Sequence, residues 1–339
     1  MKIAILTGGG DAPGLNSVIR SVVKAAEKNQ IEMIGIKRGW AGLVELNYFT
    51  LTAKTVETLH SRGGTFLGSS RTNPIKMNNG IEKVSENLKK IADGLIAMGG
   101  EDTLGVANEM YKNGLNVIGV PKTIDNDLFS TDYTIGFDTA LNTTVEAIDR
   151  IRTTGESHDR YMVIEVMGRH AGWLSVHAGL ASGADIILYP EKKFKIDEIT
   201  SKIKKLKDNG QNSGIIVVAE GAEEEKDSYS TQDEELDAFG HVKLGGIGEK
   251  LAKNIEKHSE VETKHVILGH LVRGGTPSAF DRVYGARLGV NAIKLVKEQK
   301  WGNMLTLKGT EISSIPLEEG VKKLKIVTPD FTEIVRELT

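Results

Sequence analysis

The chain contains no cysteine, and its positive and negative charges nearly cancel. Without cysteine, disulfide bonds and thiolate chemistry are excluded, and the composition fits a reducing compartment, so we expect a cytoplasmic protein. A net charge of −3 over 339 residues argues against a nucleic-acid-binding surface or a polybasic membrane patch. We therefore expect the basic residues to act locally, on a small anion.

The sequence also lacks long apolar runs, and it does not begin with a basic segment followed by a long apolar core. No apolar run approaches the roughly 20 residues of a membrane-spanning helix, so we expect no membrane segment. The first residues, MKIAILTGGGDAPG, are typical of a strand and a turn rather than a signal peptide.

The acidic segment Gly221–Gly240 has few apolar residues, and we interpret it as a solvated surface loop without a catalytic role. Glycine, in contrast, is abundant, and many of the 38 glycines directly follow apolar runs, where α/β enzymes place ligand loops.

Short apolar runs alternate with amphipathic helical patterns, and the chain is long enough for two domains. Uniformly apolar runs are typical of parallel strands covered on both faces. The sequence therefore predicts an α/β fold of two doubly wound lobes with mainly parallel sheets. The predicted strands are Lys2–Thr7, Glu32–Lys37, Gly94–Met98, Asn116–Val120, Tyr161–Val166, Asp185–Tyr189, Gly214–Ala219 and Lys264–Leu268.

The stretch Pro121–Asp127, PKTIDND, brings a lysine, a threonine hydroxyl and two carboxylates to the end of a predicted strand. In an extended backbone Asp125 and Asp127 leave on the same face, where one could take a proton while the other held a cation. That pairing suits transfer of a phosphoryl group to a hydroxyl; the alternative is an Asx-rich turn that caps a helix. A second cluster, Gly99–Thr103, ends the preceding apolar run, and adjacent parallel strands end at one edge, so we expect both clusters to share a crevice.

Two glycine-rich loops of the first half are candidate phosphate sites. Gly8–Gly14 lies between the first strand and the first helix, where glycines let backbone N–H groups approach an anion. It matches neither common nucleotide fingerprint, and a tight turn is the alternative. Gly63–Pro74 places Arg71 after a Gly/Ser stretch, where its guanidinium could bind a phosphate rather than merely be solvated.

The predicted strands of the second half end in further polar side chains. Arginine, glutamate and histidine residues there suit a phosphorylated polyol, because cations bind the phosphate while a carboxylate and an imidazole bind hydroxyls. For the histidine the alternative is a core residue satisfied by backbone. The residues are Met167, Gly168 and Arg169, then Glu220, then His270 and Arg273.

Five motifs in order carry a resemblance to a known family. They are GGGDAPGLN, GGEDT, PKTIDND, MGR and LGHLVRGGTPSAFDR, and together they resemble the 6-phosphofructokinase family from Lys2 to about Ala292. The resemblance implies two Rossmann-like lobes, with residues 1–137 as the phosphoryl-donor lobe and residues 138–272 as the sugar-phosphate lobe. Residues 273–301 would return to the donor lobe, and residues 302–339 would return to the sugar lobe.

The resemblance also implies roles for the residues of the first half. Asp125 is the base that takes the proton of the sugar 1-hydroxyl, while Thr123 and Ile124 hold that end of the sugar. Glu101 and Asp127 hold Mg²⁺, with Glu101 replacing the usual aspartate. Gly10 and Arg71 contact the donor phosphates, Asp102 and Lys122 complete the donor site, and the catalytic set is Asp125, Arg169, Lys122 and Thr123.

For the second half the resemblance implies a fructose 6-phosphate pocket and a shared site. The pocket residues are Met167, Gly168, Arg169, Glu220, His270 and Arg273. Arg160 and Lys264 reach the 6-phosphate of a neighbouring subunit, so a homodimer or homotetramer is expected. Lys264 stands where an arginine is usual, which keeps the charge but loses the bidentate grip.

Two positions bear on the phosphoryl donor. ATP-using bacterial members carry glycine where this chain has Asp102 and Lys122, and an aromatic residue where it has Thr72. The carboxylate of Asp102 would crowd and repel a nucleotide's α-phosphate, whereas Lys122 suits a compact donor. We therefore expect pyrophosphate, with ATP as the alternative, and a reversible reaction. A catalytically inactive regulatory subunit is a further alternative, and sedoheptulose 7-phosphate is a possible second substrate.

Regulation is expected to be absent. The basic effector cluster of allosteric bacterial members is retained at Arg20, Lys24 and Arg152, but Asp208–Ser213 lacks the arginine and lysine that those enzymes present there. Without these cations a bound effector phosphate loses charge-assisted hydrogen bonds. The sequence therefore predicts a non-allosteric enzyme.

Overall fold

The computed structural model describes residues 1–225 and 246–339. Its strands are β1 Lys2–Thr7, β2 Glu32–Ile36, β3 Tyr48–Leu51, β4 Gly94–Gly99, β5 Val117–Pro121, β6 Tyr161–Val166, β7 Ile186–Leu188, β8 Gly214–Ala219, β9 Thr263–Ile267, β10 Asn303–Lys308 and β11 Glu311–Pro316. Its α-helices are α1 Leu15–Lys28, α2 Trp40–Glu45, α3 Gly80–Ile91, α4 Glu101–Lys112, α5 Phe137–Ser157, α6 Trp173–Ala181, α7 Ile196–Asp208, α8 Ile247–Ser259, α9 Ala279–Lys297, α10 Leu317–Gly320 and α11 Pro329–Leu338. Most of the acidic segment Gly221–Gly240 lies outside the described residues, so its surface-loop assignment stays a prediction.

The chain divides into two units. The first comprises Met1–Ala140 and Arg273–Lys325, and the second comprises Leu141–Val272 and Ile326–Thr339. The first change of unit therefore falls inside α5. Among the described residues, no helix combines the length and the apolar character that crossing a membrane requires.

The first unit is built on a seven-stranded sheet in the order β11-β10-β5-β4-β1-β2-β3. Its central strands pair in parallel, and only the edge strands β3 and β11 pair antiparallel with their neighbours. Alternate residues of each strand face opposite sides. Accordingly Ile3 and Ile5 of β1 pack in a core with α1 and α9, while Ala4 and Leu6 pack in a second core with α3 and α4.

The predicted return to the sugar lobe at residue 302 is wrong. Met304 of β10 pairs in parallel with Gly119 of β5, and β11 extends the sheet beyond β10, so this hairpin belongs to the first unit. The final change of unit comes after Lys325. Strand β10 fits this position because its apolar residues Met304, Leu305 and Leu307 are buried there.

The second unit contains a four-stranded, all-parallel sheet in the order β7-β8-β6-β9. Apolar residues of β6, β7 and β8 pack with α7 and α8 in one core. The strands β6 and β8 are fully buried, as parallel strands with two covered faces should be. These two units confirm the predicted α/β class with mainly parallel sheets.

Candidate active site

The strands β4 and β5 bring two of the predicted clusters to one edge of the first sheet. Gly99 pairs with Pro121 at the carboxyl ends of these parallel neighbours, and the Lys122 N–H donates to the Gly99 carbonyl at 3.0 Å. This confirms that Gly99–Thr103 and Pro121–Asp127 leave neighbouring strands at the same edge. Thr103 links the edge to β1, because its buried side chain fills the space beside Gly8 and Gly99.

The loop Gly8–Gly14, which we call the donor loop, connects β1 to α1. Its Gly8 N–H donates to Met98 O at 2.9 Å, and its Gly9 N–H donates to Ser70 O at 3.3 Å. Gly9 has φ = 74°, a left-handed conformation in which a side chain would be strained. Since the Ser69 hydroxyl also donates to Gly9 O, the segment that carries Arg71 is bonded to the donor loop. The Arg71 side chain itself is exposed.

Lys122 contributes a buried positive charge to the donor loop. Its Nζ donates to the Gly10 carbonyl at 2.5 Å, and only 3% of the residue is exposed. Burial, followed by repulsion from Arg273, lowers the pKa of Lys122 to about 8, against the attraction of Asp11, Asp125 and Asp127. At neutral pH the ammonium is therefore mainly protonated and available to a phosphate.

Arg273 adds a second cation to the same loop. Its Nη1 donates to Asp11 O at 3.2 Å, and its guanidinium occupies the space that a side chain at position 10 would need. Only glycine at position 10 leaves room for this close approach. Arg273, which the sequence analysis assigns to the sugar pocket, thus lies in the first unit beside the donor loop.

The backbone turns between Asp125 and Asp127, so the extended conformation expected for this segment is not adopted. Asn126 has φ = 53°, in the left-handed region that asparagine tolerates better than most residues. Its buried side chain bonds the far end of the same loop: Nδ2 donates to Asp132 O at 3.2 Å, and Oδ1 accepts from Thr134 N at 3.1 Å. Of the alternative, an Asx-rich turn that caps a helix, the structure shows a turn at Asn126 but no cap, because the next helix, α5, begins at Phe137.

Thr123 and Ile124 shape this loop from its start. The Thr123 hydroxyl accepts from the Asp125 N–H at 3.1 Å, and its carbonyl accepts from the Thr134 hydroxyl at 2.6 Å. Ile124 is fully buried. We call residues 122–135 the catalytic loop; Lys122 and Ile135 close it as a bridge pair.

Three acidic residues of the first unit influence one another. Burial, and then the negative charges of Asp125 and Glu101, raises the pKa of Asp127 to about 7. Glu101 and Asp102 occupy the first turn of α4, where carboxylates interact favourably with the helix N-terminus, and both are exposed. Within residues 1–225 and 246–339, no three or more His, Cys, Asp or Glu side chains form a metal-binding group. Mg²⁺ commonly uses one or two carboxylates plus substrate phosphates, so these residues fit an ion completed by substrate oxygens.

In the second unit, three strand ends carry the predicted sugar-pocket residues. Glu220 N–H donates to Val166 O at 2.9 Å, and Gly221 N–H donates to Gly168 O at 3.1 Å. These bonds join the segment that contains Met167, Gly168 and Arg169 to the segment that contains Glu220. His270 follows β9, the other neighbour of β6, and its side chain is exposed.

Arg160 and Lys264 lie near the opposite end of the second sheet. Arg160 precedes β6 and Met167 follows it, so six strand residues, about 20 Å, separate them. Both cations contact Glu262, Arg160 Nε at 2.8 Å and Lys264 Nζ at 3.2 Å. Hydrogen bonds from Arg160 and then Lys264 lower the pKa of Glu262. The structure does not bring this pair together with Arg169 at one strand end.

Comparison with known proteins identifies the family. The family model described as Phosphofructokinase matches residues 2–296. The chain belongs to the phosphofructokinase family. A pyrophosphate--fructose 6-phosphate 1-phosphotransferase from Amycolatopsis methanolica is 50% identical over 335 residues, which cover 98% of each chain. An ATP-dependent 6-phosphofructokinase 3 from Streptomyces coelicolor is 44% identical over 332 residues, which cover 97% of each chain.

Among solved structures of the family, a pyrophosphate-dependent phosphofructokinase from Nitrosospira multiformis has a TM-score of 0.84 and covers 99% of this chain and 90% of its own. At 20% identity it shows the fold alone. Relatives named for either donor align over nearly the full chain, and their identities to it, 50% and 44%, differ little. Individual residues therefore carry more information about the donor than overall identity does.

Two residues that stabilise the catalytic loop had no role in the sequence analysis. Asn126 had a signal, since asparagine adopts the left-handed conformation more readily than most residues. Lys325 had none, because it contacts the catalytic loop from almost 200 residues further along the chain.

Proposed function

We propose that the protein catalyses reversible, Mg²⁺-dependent phosphoryl transfer from pyrophosphate to the 1-hydroxyl of fructose 6-phosphate. The products are fructose 1,6-bisphosphate and phosphate. The observation that carries the choice of donor is the buried Lys122 ammonium, 2.5 Å from the Gly10 carbonyl of the donor loop. An ammonium there suits a compact donor of high charge. The relative from Amycolatopsis methanolica, which is named for this reaction, supports the same choice.

Asp102 supports the same donor assignment because it disfavours a nucleotide. It lies in the first turn of α4, next to Thr103, whose side chain packs against Gly8 of the donor loop. A carboxylate at this position repels the α-phosphate of a nucleotide and occupies space that glycine would leave open. Pyrophosphate has neither an α-phosphate nor a ribose to accommodate.

In the proposed reaction Asp125 accepts the proton of the sugar 1-hydroxyl as the oxygen attacks the terminal phosphorus of pyrophosphate. The new O–P bond forms while the bridging P–O bond breaks, and the departing phosphate takes the electron pair. Lys122 and Arg273 supply positive charge at the donor loop, and Arg71 contributes to donor binding. Such chemistry depends on positioning and charge stabilisation more than on covalent catalysis. From the second unit, Arg169 is assigned to stabilising the transferred group, as the family resemblance implies.

Glu101 and Asp127 are the residues that would hold Mg²⁺. The fit is chemical: the partly buried Asp127 lies near two other negative charges that raise its pKa, and a cation would favour its ionised form. When bound, the ion would neutralise the phosphate charge that develops during transfer.

The second unit is assigned to fructose 6-phosphate. Met167, Gly168, Arg169, Glu220 and His270 follow adjacent strands and combine a cation, a carboxylate and an imidazole. We assign Arg160 and Lys264 to the 6-phosphate site of a neighbouring subunit in a homodimer or homotetramer. Their distance from Arg169 within one chain supports this, because residues at opposite strand ends cannot bind the same small ligand.

The test is product formation by the purified protein supplied with fructose 6-phosphate and Mg-pyrophosphate. Fructose 1,6-bisphosphate and phosphate should form in equal amounts, and the reverse reaction should run when these products are supplied. Formation of neither product with pyrophosphate or with ATP would overturn the proposal in favour of an inactive regulatory subunit.

A further inference from the structure

The segment Lys323–Lys325 runs alongside the catalytic loop. Leu324 forms an antiparallel bridge with Leu128, and the Lys325 N–H donates to Asp127 O at 2.7 Å. Lys323 Nζ lies 4.3 Å from the centre of the Phe129 ring. This segment lies beyond residues 2–296, which match the family, so it is a feature of the C-terminal part of this chain.

The side chain of Lys325 binds a later part of the catalytic loop. Its Nζ donates to Thr131 O and to Asp132 O, both at 2.9 Å. Together with the backbone bond, one residue thus engages the carbonyls of residues 127, 131 and 132. An ammonium can satisfy several acceptors at once because it carries three rotatable donors.

Besides its direct bond to the Asp127 carbonyl, Lys325 is linked to the segment Asp125–Asp127 through a shared acceptor. The Asp132 carbonyl that it binds also accepts from Asn126 Nδ2 at 3.2 Å, and Asn126 lies between Asp125 and Asp127. Burial lowers the pKa of Lys325 to about 8, against the attraction of the Asp132 and Asp127 carboxylates, and the ammonium of Lys308 lowers it further. Asp132 is itself held by Gly309 N–H at 2.7 Å and by Lys308 at 3.3 Å.

We propose that Lys325 is a positioning residue for phosphoryl transfer, which holds the catalytic loop in the conformation that aims Asp125 at the sugar hydroxyl. This inference rests on the proposed function. Lys325 acts through the loop carbonyls rather than by touching the substrate. Its removal should therefore lower turnover more than substrate binding, since a shift of about 1 Å in a catalytic group can cost about a hundredfold in rate.

The experiment compares Lys325→Met, Lys325→Arg and the control Lys322→Met. Lys322 is an exposed lysine directly before the segment Lys323–Lys325. Lys325→Met should lower kcat by about tenfold to a hundredfold while KM for both substrates stays within about threefold. Lys325→Arg, whose guanidinium can still donate to both carbonyls, should recover most of kcat, and Lys322→Met should match the unmodified enzyme.

Hydrogen exchange of the peptide 122–136, followed by mass spectrometry, gives a readout that is independent of turnover. Exchange there should be faster in Lys325→Met, while the β6 peptide of the second unit should be unchanged. If Lys325→Met does not fold, Lys325→Gln, which retains one donor group, takes its place with the same expectations. Wild-type kcat in the substituted protein, or loss of kcat with unchanged exchange in the loop, would overturn the inference. An unmodified protein that is inactive with pyrophosphate would instead overturn the proposed function, and the exchange measurement separates the two failures.

Discussion

Lys122 is the residue whose surroundings bear most directly on the donor. Its buried Nζ contacts the Gly10 carbonyl, and the Arg273 guanidinium lies against the same donor loop. Charges in a site of low polarity interact more strongly than in water, so two cations on a loop of backbone amides favour a compact anion. In the proposed mechanism, a few charged side chains therefore select the donor.

Asp125→Ser tests the base. Because the hydroxyl of serine cannot take the proton of the sugar, kcat should fall by about a hundredfold to ten-thousandfold, with KM for fructose 6-phosphate largely unchanged. Steady-state kinetics in both directions would measure this. Asp149→Ser, which alters an exposed aspartate of α5, is the control and should retain full activity. Near wild-type turnover in Asp125→Ser would remove Asp125 from the mechanism.

Asp102→Gly and Lys122→Gly test the donor assignment. Asp102→Gly should raise kcat/KM for ATP because it removes bulk and negative charge, and Lys122→Gly should weaken the use of pyrophosphate. The double variant is needed as well, since neighbouring substitutions are seldom additive. Lys112→Gly, at the other end of α4, controls for the destabilisation that glycine causes in this helix. If Asp102→Gly left ATP use unchanged in single and double variants, Asp102 would not exclude nucleotides.

The pKa of Lys122 predicts a pH dependence. Since burial lowers this pKa to about 8, the ammonium loses its proton as the pH rises through that value, and its attraction for pyrophosphate is lost. A charge-assisted hydrogen bond contributes about 1.5 kcal/mol or more, so kcat/KM for pyrophosphate should fall about tenfold at full deprotonation. The measurement is kcat/KM from pH 7 to 9.5, which reports the free enzyme. In Lys122→Met, kcat/KM should not show this decline. An equal decline in that variant would mean that a group other than Lys122 causes it.

At the scale of elements, the catalytic loop shows what a sequence pattern can and cannot predict. The position of Asp125 and Asp127 at the end of β5 was predictable from the apolar run before them. Their local conformation was not, because it depends on Asn126 bonding Asp132 and Thr134 within the loop and on Lys325 bonding from the C-terminal part. Such contacts between distant residues leave no periodicity in the sequence.

The elements around Arg152 bear on regulation. Arg152 Nη2 donates to Ser182 O and Gly183 O, and the residue lines a cavity of about 200 Å³ in the second unit with Arg160, Gln211 and Ser213. Arg160 is paired with Glu262, and Gln211 Nε2 donates to Asp185 at 2.7 Å. An effector phosphate would therefore have to displace existing partners of both arginines.

We accordingly expect hyperbolic saturation with fructose 6-phosphate and no marked response to ADP or phosphoenolpyruvate. An effector shifts an equilibrium only through contacts that differ between two states, and the loop before β8 offers asparagine, glutamine and serine where cations would be required. Initial rates with and without each compound would test this. A sigmoidal curve that ADP straightened would show that an effector site exists elsewhere in the protein.

For the whole molecule, the eight predicted strands all have counterparts in the structure. Most of them are buried parallel strands with nearly uniform apolar runs, whereas the edge strand β9 is largely exposed. The edge strands β3 and β11 are partly exposed and lack that pattern. Strand β10 pairs with β5, which lies far earlier in the chain. That long-range pairing is why residues 302–325 could not be assigned to the first unit from sequence alone.

The preference for pyrophosphate can be measured directly in the unmodified protein. Initial rates with fructose 6-phosphate are compared for Mg-pyrophosphate and Mg-ATP at equal concentrations, and kcat/KM is determined for each. We expect kcat/KM to be about tenfold or more higher for pyrophosphate than for ATP. The reason is that ATP would lose one charge-assisted contact with Lys122 and would be repelled by Asp102. A kcat/KM for ATP equal to or above that for pyrophosphate in the unmodified protein would contradict it.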